Sequence, residues 1–250
     1  MTLGLRQHGI RSVLLDIEGT TTPIAFVYDV LFPFARRHVR EFLNDHIDSV
    51  DVRAVTLQLR SEWTDDTARG HLPPDWPDRA TGRDVEPIAT YVWWLMDHDR
   101  KSAGLKALQG HIWDIGYRSG VLKGEVFDDV PAAFERWSQD GIGVAIYSSG
   151  SVLAQRLLFG TTASGDLTRF ISTFFDTAVG SKTSPDSYRR IADALEQPPA
   201  QILFVSDVGS ELDAAQRAGC HVALCVRPGN PTQSVRSDVP VVRTLDDIVA

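Results

Sequence analysis

The sequence contains no stretch of about eighteen successive apolar residues, so nothing in it reads as a membrane-spanning helix. Its start, Met1 to Arg11, holds Arg6, His8 and Arg11 but lacks the long apolar region of a secretory leader. There is no basic run either: 25 lysines and arginines are outnumbered by 33 acidic residues, and the net charge of -8 argues against a nucleic-acid surface, which needs a clustered positive face. Cysteine is nearly absent. Only Cys220 and Cys225 occur, in the apolar segment Cys220-His-Val-Ala-Leu-Cys225, where strand-like spacing suits reduced thiols rather than a staple; such usage fits a reducing compartment. No internal repeat or low-complexity tract is present. The expectation is a soluble, cytoplasmic, monomeric protein with neither membrane nor nucleic acid as a partner.

What is present is a chain of 250 residues, 43% hydrophobic, enough for a full core and of a length that suits one large domain or one domain carrying an insertion. Its organising stretch is Ser12-Val-Leu-Leu-Asp16-Ile-Glu18-Gly-Thr20-Thr-Thr-Pro23. An apolar run followed at once by carboxylates and a Thr-rich turn reads as a buried parallel strand that delivers acids at its carboxyl end, where open α/β sheets bind ligands.

From Ile24 to Ile47 the apolar residues fall at helical spacing, with Pro33 bending the helix or beginning a second segment. Helical patterns continue over Asp51 to Trp63, Asp84 to Asp99 and Leu105 to Tyr117, and Gly70 to Pro77 reads as a surface loop. From Pro131 onward helix and strand alternate. Strands are expected at Gly143 to Tyr147, Ile171 to Phe175, Ile202 to Val205 and His221 to Val226, with helices at Pro131 to Gln139, Ser151 to Phe159, Pro185 to Leu195 behind a Ser184 cap, and Ser210 to Ala218. The expected fold class is therefore α/β, a doubly wound, mainly parallel sheet with an inserted helical cap domain. The expected boundaries are 1–23 and 125–250 for the core and 24–124 for the cap.

Three strands end in polar residues of particular kinds: Asp16-Ile-Glu18, Ser148-Ser149-Gly150, and Asp207 with Glu211 four residues on. Gly180-Ser-Lys182 precedes a helix start. Each type has a task in phosphoryl transfer. A carboxylate attacks phosphorus only when anion repulsion is cancelled, so Asp16 needs a cation, and Mg²⁺ favours a few carboxylates with water and phosphate oxygens. Asp16 and Asp207 are candidate ligands, with Glu211 in the coordination sphere or fixing a water. Ser148 and the Ser149 N–H suit phosphate oxygens, Lys182 adds positive charge, and Glu18 suits a general acid and base. Taken singly, each residue also has a bland reading as a helix cap, a first-turn acid or a surface lysine.

That order of motifs resembles the haloacid-dehalogenase superfamily of phosphatases, with Glu18 standing where most members have Asp. The stretch Asp16 to Ile24, together with Val27-Tyr-Asp-Val-Leu-Phe-Pro33, Tyr147-Ser-Ser-Gly-Ser151, Gln155-Arg-Leu-Leu-Phe159 and Arg227-Pro-Gly-Asn230, looks like the enolase-phosphatase family of methionine salvage. The resemblance implies an Mg²⁺-dependent enzyme with two activities, whose small-molecule substrate is the phosphorylated diketone 2,3-diketo-5-methylthiopentyl 1-phosphate. It further implies Asp16, Glu18 and Asp207 at the metal and Ser148, Ser149 and Lys182 at the substrate. The residues alone leave open a capped phosphatase of another metabolite, and a metal-retaining binding protein without catalysis.

Several groups are set aside. Trp93, Trp94, Trp113 and Trp137 read as core, the histidines form no metal set, Arg36, Arg37 and Arg40 read as a solvated face, and Arg227 to Pro231 reads as a turn. Phe26, Tyr28 and Phe32 are candidates either for packing or for recognising the methylthio end of the substrate.

Overall fold

The computed structural model describes residues 2–77, 84–231 and 238–250. A short strand β1 (Leu3–Gly4) precedes β2 (Ser12–Leu15), whose four residues are all buried, as a strand covered on both faces must be. Beyond β2 the chain coils tightly. The N–H groups of Thr21 and Thr22 donate to the Ile17 carbonyl at 3.0 and 2.9 Å, and that of Gly19 to the Thr22 carbonyl at 2.8 Å.

A π-helical segment, Phe26–Leu31, leads into α1 (Phe32–His46), so the expected bend at Pro33 appears as a change of helix type with the proline in the first turn of α1. A missing N–H costs little there. Next come α2 (Val50–Ala68), α3 (Val85–Asp97) and α4 (Ala103–Arg118). Ser49 and Ser102 cap α2 and α4 by accepting from the N–H groups of Val52 and Leu105. Close packing of α4 depends on two missing side chains: a Cβ on Gly104 would lie 2.8 Å from Leu59, and one on Gly116 2.7 Å from Phe34. Residues Tyr28–Leu122 make one compact unit. Inside it the Tyr91 hydroxyl donates to Asp66 at 2.8 Å, and Arg100 pairs with the same carboxylate. Arg36 and Arg40, expected on a solvated face, pair with Asp97 and Glu86 of α3, but both pairs are well exposed and contribute little to stability.

Alternation follows: α5 (Asp129–Gln139), β3 (Gly143–Tyr147), α6 (Val152–Gly160), β4 (Ile171–Phe175), α7 (Pro185–Ala194), β5 (Ile202–Ser206), α8 (Gly209–Ala218), β6 (His221–Cys225), β7 (Val241–Val242) and β8 (Ile248–Val249). With Met1–Val27, Lys123–Ala250 forms the other compact unit. Pro131 lies third in α5 rather than first, because the helix begins two residues earlier, at Asp129. Six strands form a fully parallel sheet in the order β4-β3-β2-β5-β6-β7, while β1 and β8 pair separately. The chain runs outward from β2 to β3 and β4, then crosses back to β5 and continues to the other edge. The topological switch therefore falls between β2 and β5, where sheets of this kind open a crevice at their carboxyl ends.

One sheet face is sealed by Leu14, Tyr147, Tyr188, Ile191, Phe204 and Leu212, all buried in a single cluster. Both cysteines are free and buried, and burial pushes their thiols up to about 12, so they stay protonated and unreactive. Among the described residues no helix is long and apolar enough to cross a membrane.

Arg227, expected in an ordinary turn, is buried instead. Its guanidinium makes a two-point pair with Asp129 at 2.9 Å, donates to the Thr20 carbonyl at 3.1 Å and lies over the Phe127 ring. It thereby ties α5 and the chain after β6 to the loop after β2. Asp129→Ala leaves that cation buried and unpaired, which costs about 3–5 kcal/mol, read as a lower midpoint in urea unfolding. An unchanged midpoint contradicts the clamp.

Candidate active site

At the switch point the central strand β2 runs straight into Asp16, whose N–H continues the ladder by donating to the Val205 carbonyl of β5 at 3.0 Å. The side chain is 6% exposed. Its Oδ1 accepts from the Ile17 N–H at 2.7 Å and pairs with Lys182 Nζ at 2.6 Å, while Oδ2 lies 3.1 Å from Ser206 Oγ. Lys182 also pairs with Glu211 at 2.7 Å, and Ser206 Oγ lies 3.1 Å from the same Glu211 oxygen. Asp16, Lys182, Ser206 and Glu211 thus form one closed ring of contacts drawn from β2, the loop before α7, β5 and α8.

Lys182 is placed by neighbours that no motif marks. The Tyr188 hydroxyl donates to the Lys182 carbonyl at 2.7 Å, the Tyr147 hydroxyl to the Gly180 carbonyl at 2.9 Å, and the ammonium sits 5.9 Å from the centre of the Tyr147 ring. Burial works against its charge, but Asp16 and Glu211 hold the lysine protonated above its ordinary range.

Asp207 follows β5 and is 4% exposed, yet no lysine or arginine pairs with it among the described residues. Burial, then the Asp16 charge, pushes its carboxyl up to about 7. Burial and Asp16 push Glu18 up to about 7 as well, and Glu211 is raised by the same two causes. Four carboxyl groups share one ammonium. Metal-free, the site relieves this excess by holding protons where ordinary carboxylates would have lost them.

Ser148, at the tip of β3, is buried and its Oγ accepts from the Gly150 N–H at 3.0 Å. Ser149 is exposed. Neither caps the following helix, because Ser151 does so by accepting from the Ala154 N–H at 3.3 Å; the Ser149 N–H therefore lies two residues ahead of the cap. Every candidate site residue from the sequence, Asp16, Glu18, Ser148, Ser149, Lys182, Asp207 and Glu211, lies in the Met1–Val27, Lys123–Ala250 unit. All of them stand at or just beyond the carboxyl ends of β2, β3 and β5 except Lys182 and Glu211, which reach the cluster from the loop before α7 and from α8.

A divalent cation fits this chemistry. Among the described residues no three Asp, Glu, His or Cys side chains close around one point as a full cage would, but Mg²⁺ uses one or two carboxylates and fills its remaining positions with water and phosphate. Asp16 and Asp207 end adjacent strands and their charges interact. Among the described residues the Asn230 side-chain oxygen is buried without a hydrogen-bond partner, on the same side of Gly19 as Asp207, and the Thr20 and Thr22 hydroxyls of the loop after β2 are likewise unpartnered. Gly19 keeps the space beside Asp207 open: its φ is +71°, and a Cβ there would stand 2.5 Å from Asp207 Oδ2.

A family model described as haloacid dehalogenase-like hydrolase matches residues 10–219. The chain is 47% identical over 239 residues to "Enolase-phosphatase E1" of Synechococcus elongatus, covering 96% of this chain and 98% of that one. It is 46% identical over 220 residues to the protein of the same name from Drosophila melanogaster, covering 87% and 84%. Among solved structures, the UTR4 protein of Saccharomyces cerevisiae superposes with a TM-score of 0.74 at 32% identity, over 94% of this chain and 98% of that one.

Proposed function

Since the chain belongs to the haloacid dehalogenase-like hydrolases and, within them, to the enolase-phosphatases, we propose that Asp16 is its nucleophile, Glu18 its general acid and base, and Mg²⁺ its cofactor. The activity is that of an acireductone synthase. 2,3-Diketo-5-methylthiopentyl 1-phosphate is enolised and then loses phosphate, leaving 1,2-dihydroxy-3-keto-5-methylthiopentene. The observation that carries the residue assignment is the ring of contacts in which Lys182 holds Asp16 Oδ1 at 2.6 Å and Glu211 holds Lys182 at 2.7 Å.

Asp16, Asp207 and Glu18 would hold the ion, which when bound offsets the repulsion between carboxylate and phosphate and favours negative charge on the diketone oxygens. Asp16, already desolvated and oriented by Ile17 N–H and Lys182, attacks phosphorus. The bond from phosphorus to the ester oxygen breaks as that oxygen takes a proton from Glu18. Glu18 then removes a proton from water, the water oxygen attacks the aspartyl-phosphate, and phosphate leaves with Asp16 restored. Lys182 neutralises charge on the phosphoryl oxygens, and Ser148 and the Ser149 N–H bind them. Residues Tyr28–Leu122 act as the cap, and the protein works as a cytoplasmic monomer without nucleic acid or membrane partners.

Chelation tests the cofactor, with phosphate release measured beside appearance of the enol. EDTA is expected to abolish release and added Mg²⁺ to restore it. Undiminished turnover in EDTA defeats the proposal. The metal-free protein carries a second signature. Glu18 and Asp207 have folded pKa values above their unfolded ones, so the stability they allow is complete below about pH 4 and is lost as pH rises through about 7. In EDTA the melting temperature is therefore expected to fall between pH 5 and pH 8, and saturating Mg²⁺ to flatten that fall.

A further inference from the structure

Asn230 lies in the turn after β6, far along the chain from the site motifs, and its two polar atoms are treated unequally. Nδ2 donates to the Gly19 carbonyl at 2.8 Å. That bond fixes which way the amide faces, because a carbonyl accepts only from the nitrogen end. Oδ1 is inaccessible to solvent and has no donor among the described residues. Buried acceptors almost always find a donor, so this one asks for an explanation.

Its surroundings supply one. A Cβ built on Gly19 would stand 2.9 Å from Asn230 Oδ1 and 2.5 Å from Asp207 Oδ2, so both oxygens flank a single point beside the Gly19 backbone. Neither can bond to the other while Asp207 is ionised, since both only accept. An apolar neighbour would help neither, and a lysine or arginine would show as an ion pair to Asp207, which the described residues do not form. A hydrated cation serves both at once, its charge facing Asp207 and its water hydrogens facing the amide oxygen.

We propose that the Asn230 side-chain oxygen belongs to the divalent-cation site, accepting a hydrogen bond from the ion's hydration shell beside Asp207. This rests on the cation reading above and adds to it a residue from a segment that supplies none of the motif carboxylates. The amide does two jobs: its nitrogen pins the Gly19 turn and its oxygen orients the water around the ion.

The test is calorimetric titration with MgCl₂ alone, without substrate, on the wild type, Asn230→Ala, Asn230→Asp and Asp207→Asn, with melting curves in EDTA and in Mg²⁺. Loss of an outer partner of this kind weakens metal binding by about 10- to 100-fold, and that is expected for Asn230→Ala, with a smaller Mg²⁺-induced rise in melting temperature. Asn230→Ala and Asn230→Asp both lose the Nδ2 donor to the Gly19 carbonyl, so the two variants are compared with each other: only aspartate restores an oxygen acceptor, now charged, and its Mg²⁺-induced rise is expected to exceed that of alanine. Wild-type Mg²⁺ affinity in Asn230→Ala, or equal Mg²⁺-induced rises in Asn230→Ala and Asn230→Asp, overturns the proposal and leaves Asn230 as a backbone pin. Wild-type affinity in Asp207→Asn instead overturns the cation reading itself, so the two failures are told apart.

Discussion

Asp16→Asn is expected to lower phosphate release by at least about 10⁴-fold while the protein still folds. Removing a nucleophile that acts with its partners as a unit costs on this scale, and 10⁴ corresponds to about 5.4 kcal/mol of barrier. Asparagine keeps the size and planar shape of the side chain and preserves an oxygen for the Ile17 N–H, now at 2.7 Å from Asp16 Oδ1. It loses the charge that faces Lys182 at 2.6 Å and the electron pair that attacks phosphorus. Far-ultraviolet circular dichroism should be unchanged, and a phosphate assay under saturating Mg²⁺ and substrate reads the loss. Activity above one hundredth of wild type would mean that another group attacks.

Lys182→Met should produce the second large effect, and on two readouts. Methionine fills nearly the same volume, so the packing beneath Tyr147 and Tyr188 is retained, but the ammonium paired to Asp16 and Glu211 is gone. Loss of a charge that stabilises the transferring phosphoryl group lowers kcat by about 10²- to 10³-fold. Stability changes as well, because two buried carboxylates lose their counter-ion; breaking a buried pair costs about 3–5 kcal/mol. The sign of its pH dependence follows from linkage. Burial and the Asp16 charge raise Glu211 and Lys182 opposes that rise, so without the lysine the folded state resists ionisation of Glu211 still more; the penalty is absent where Glu211 is protonated and grows as pH rises. The gap in melting temperature between wild type and variant should thus be wider at pH 8 than at pH 5, in EDTA. A gap that stays constant with pH would show that the lysine does not neutralise these acids.

Much of this architecture is legible in the residue order. Val13, Leu14 and Leu15 directly before Asp16, and Ile202 to Val205 before Ser206-Asp207, announce buried parallel strands because an apolar run that stops abruptly at polar and acidic residues has few other uses. The β3 and β4 bounds agree to the residue with the sequence reading. The strands β1, β7 and β8, two residues each, escape it because no periodicity can be seen in so short a run. The site shows the same division. Chemical type and position after a strand mark Asp16 and Asp207, and position before a helix start marks Lys182. Nothing local marks Ser206, which lies just past the strand expected over Ile202 to Val205 yet closes β5 and touches both Asp16 and Glu211. Arg227 and Asn230 look like turn residues, and in a turn they are; their second role depends on Thr20 and Gly19, more than two hundred positions away, which the fold alone brings near. Tyr188 is similar, since its helical spacing predicts burial but not the bond to the Lys182 carbonyl.

The account stands or falls on a cation held jointly at the tips of β2 and β5 while Asp16 receives the phosphoryl group. A crystal structure with Mg²⁺ and beryllofluoride, a mimic of a phosphorylated aspartate, tests both parts at once. Beryllium bonded to an Asp16 oxygen, with Mg²⁺ bound by Asp16 and Asp207 and Lys182 against the fluorides, is the expected result. Beryllofluoride on any other residue, or Mg²⁺ bound away from Asp207, would contradict it.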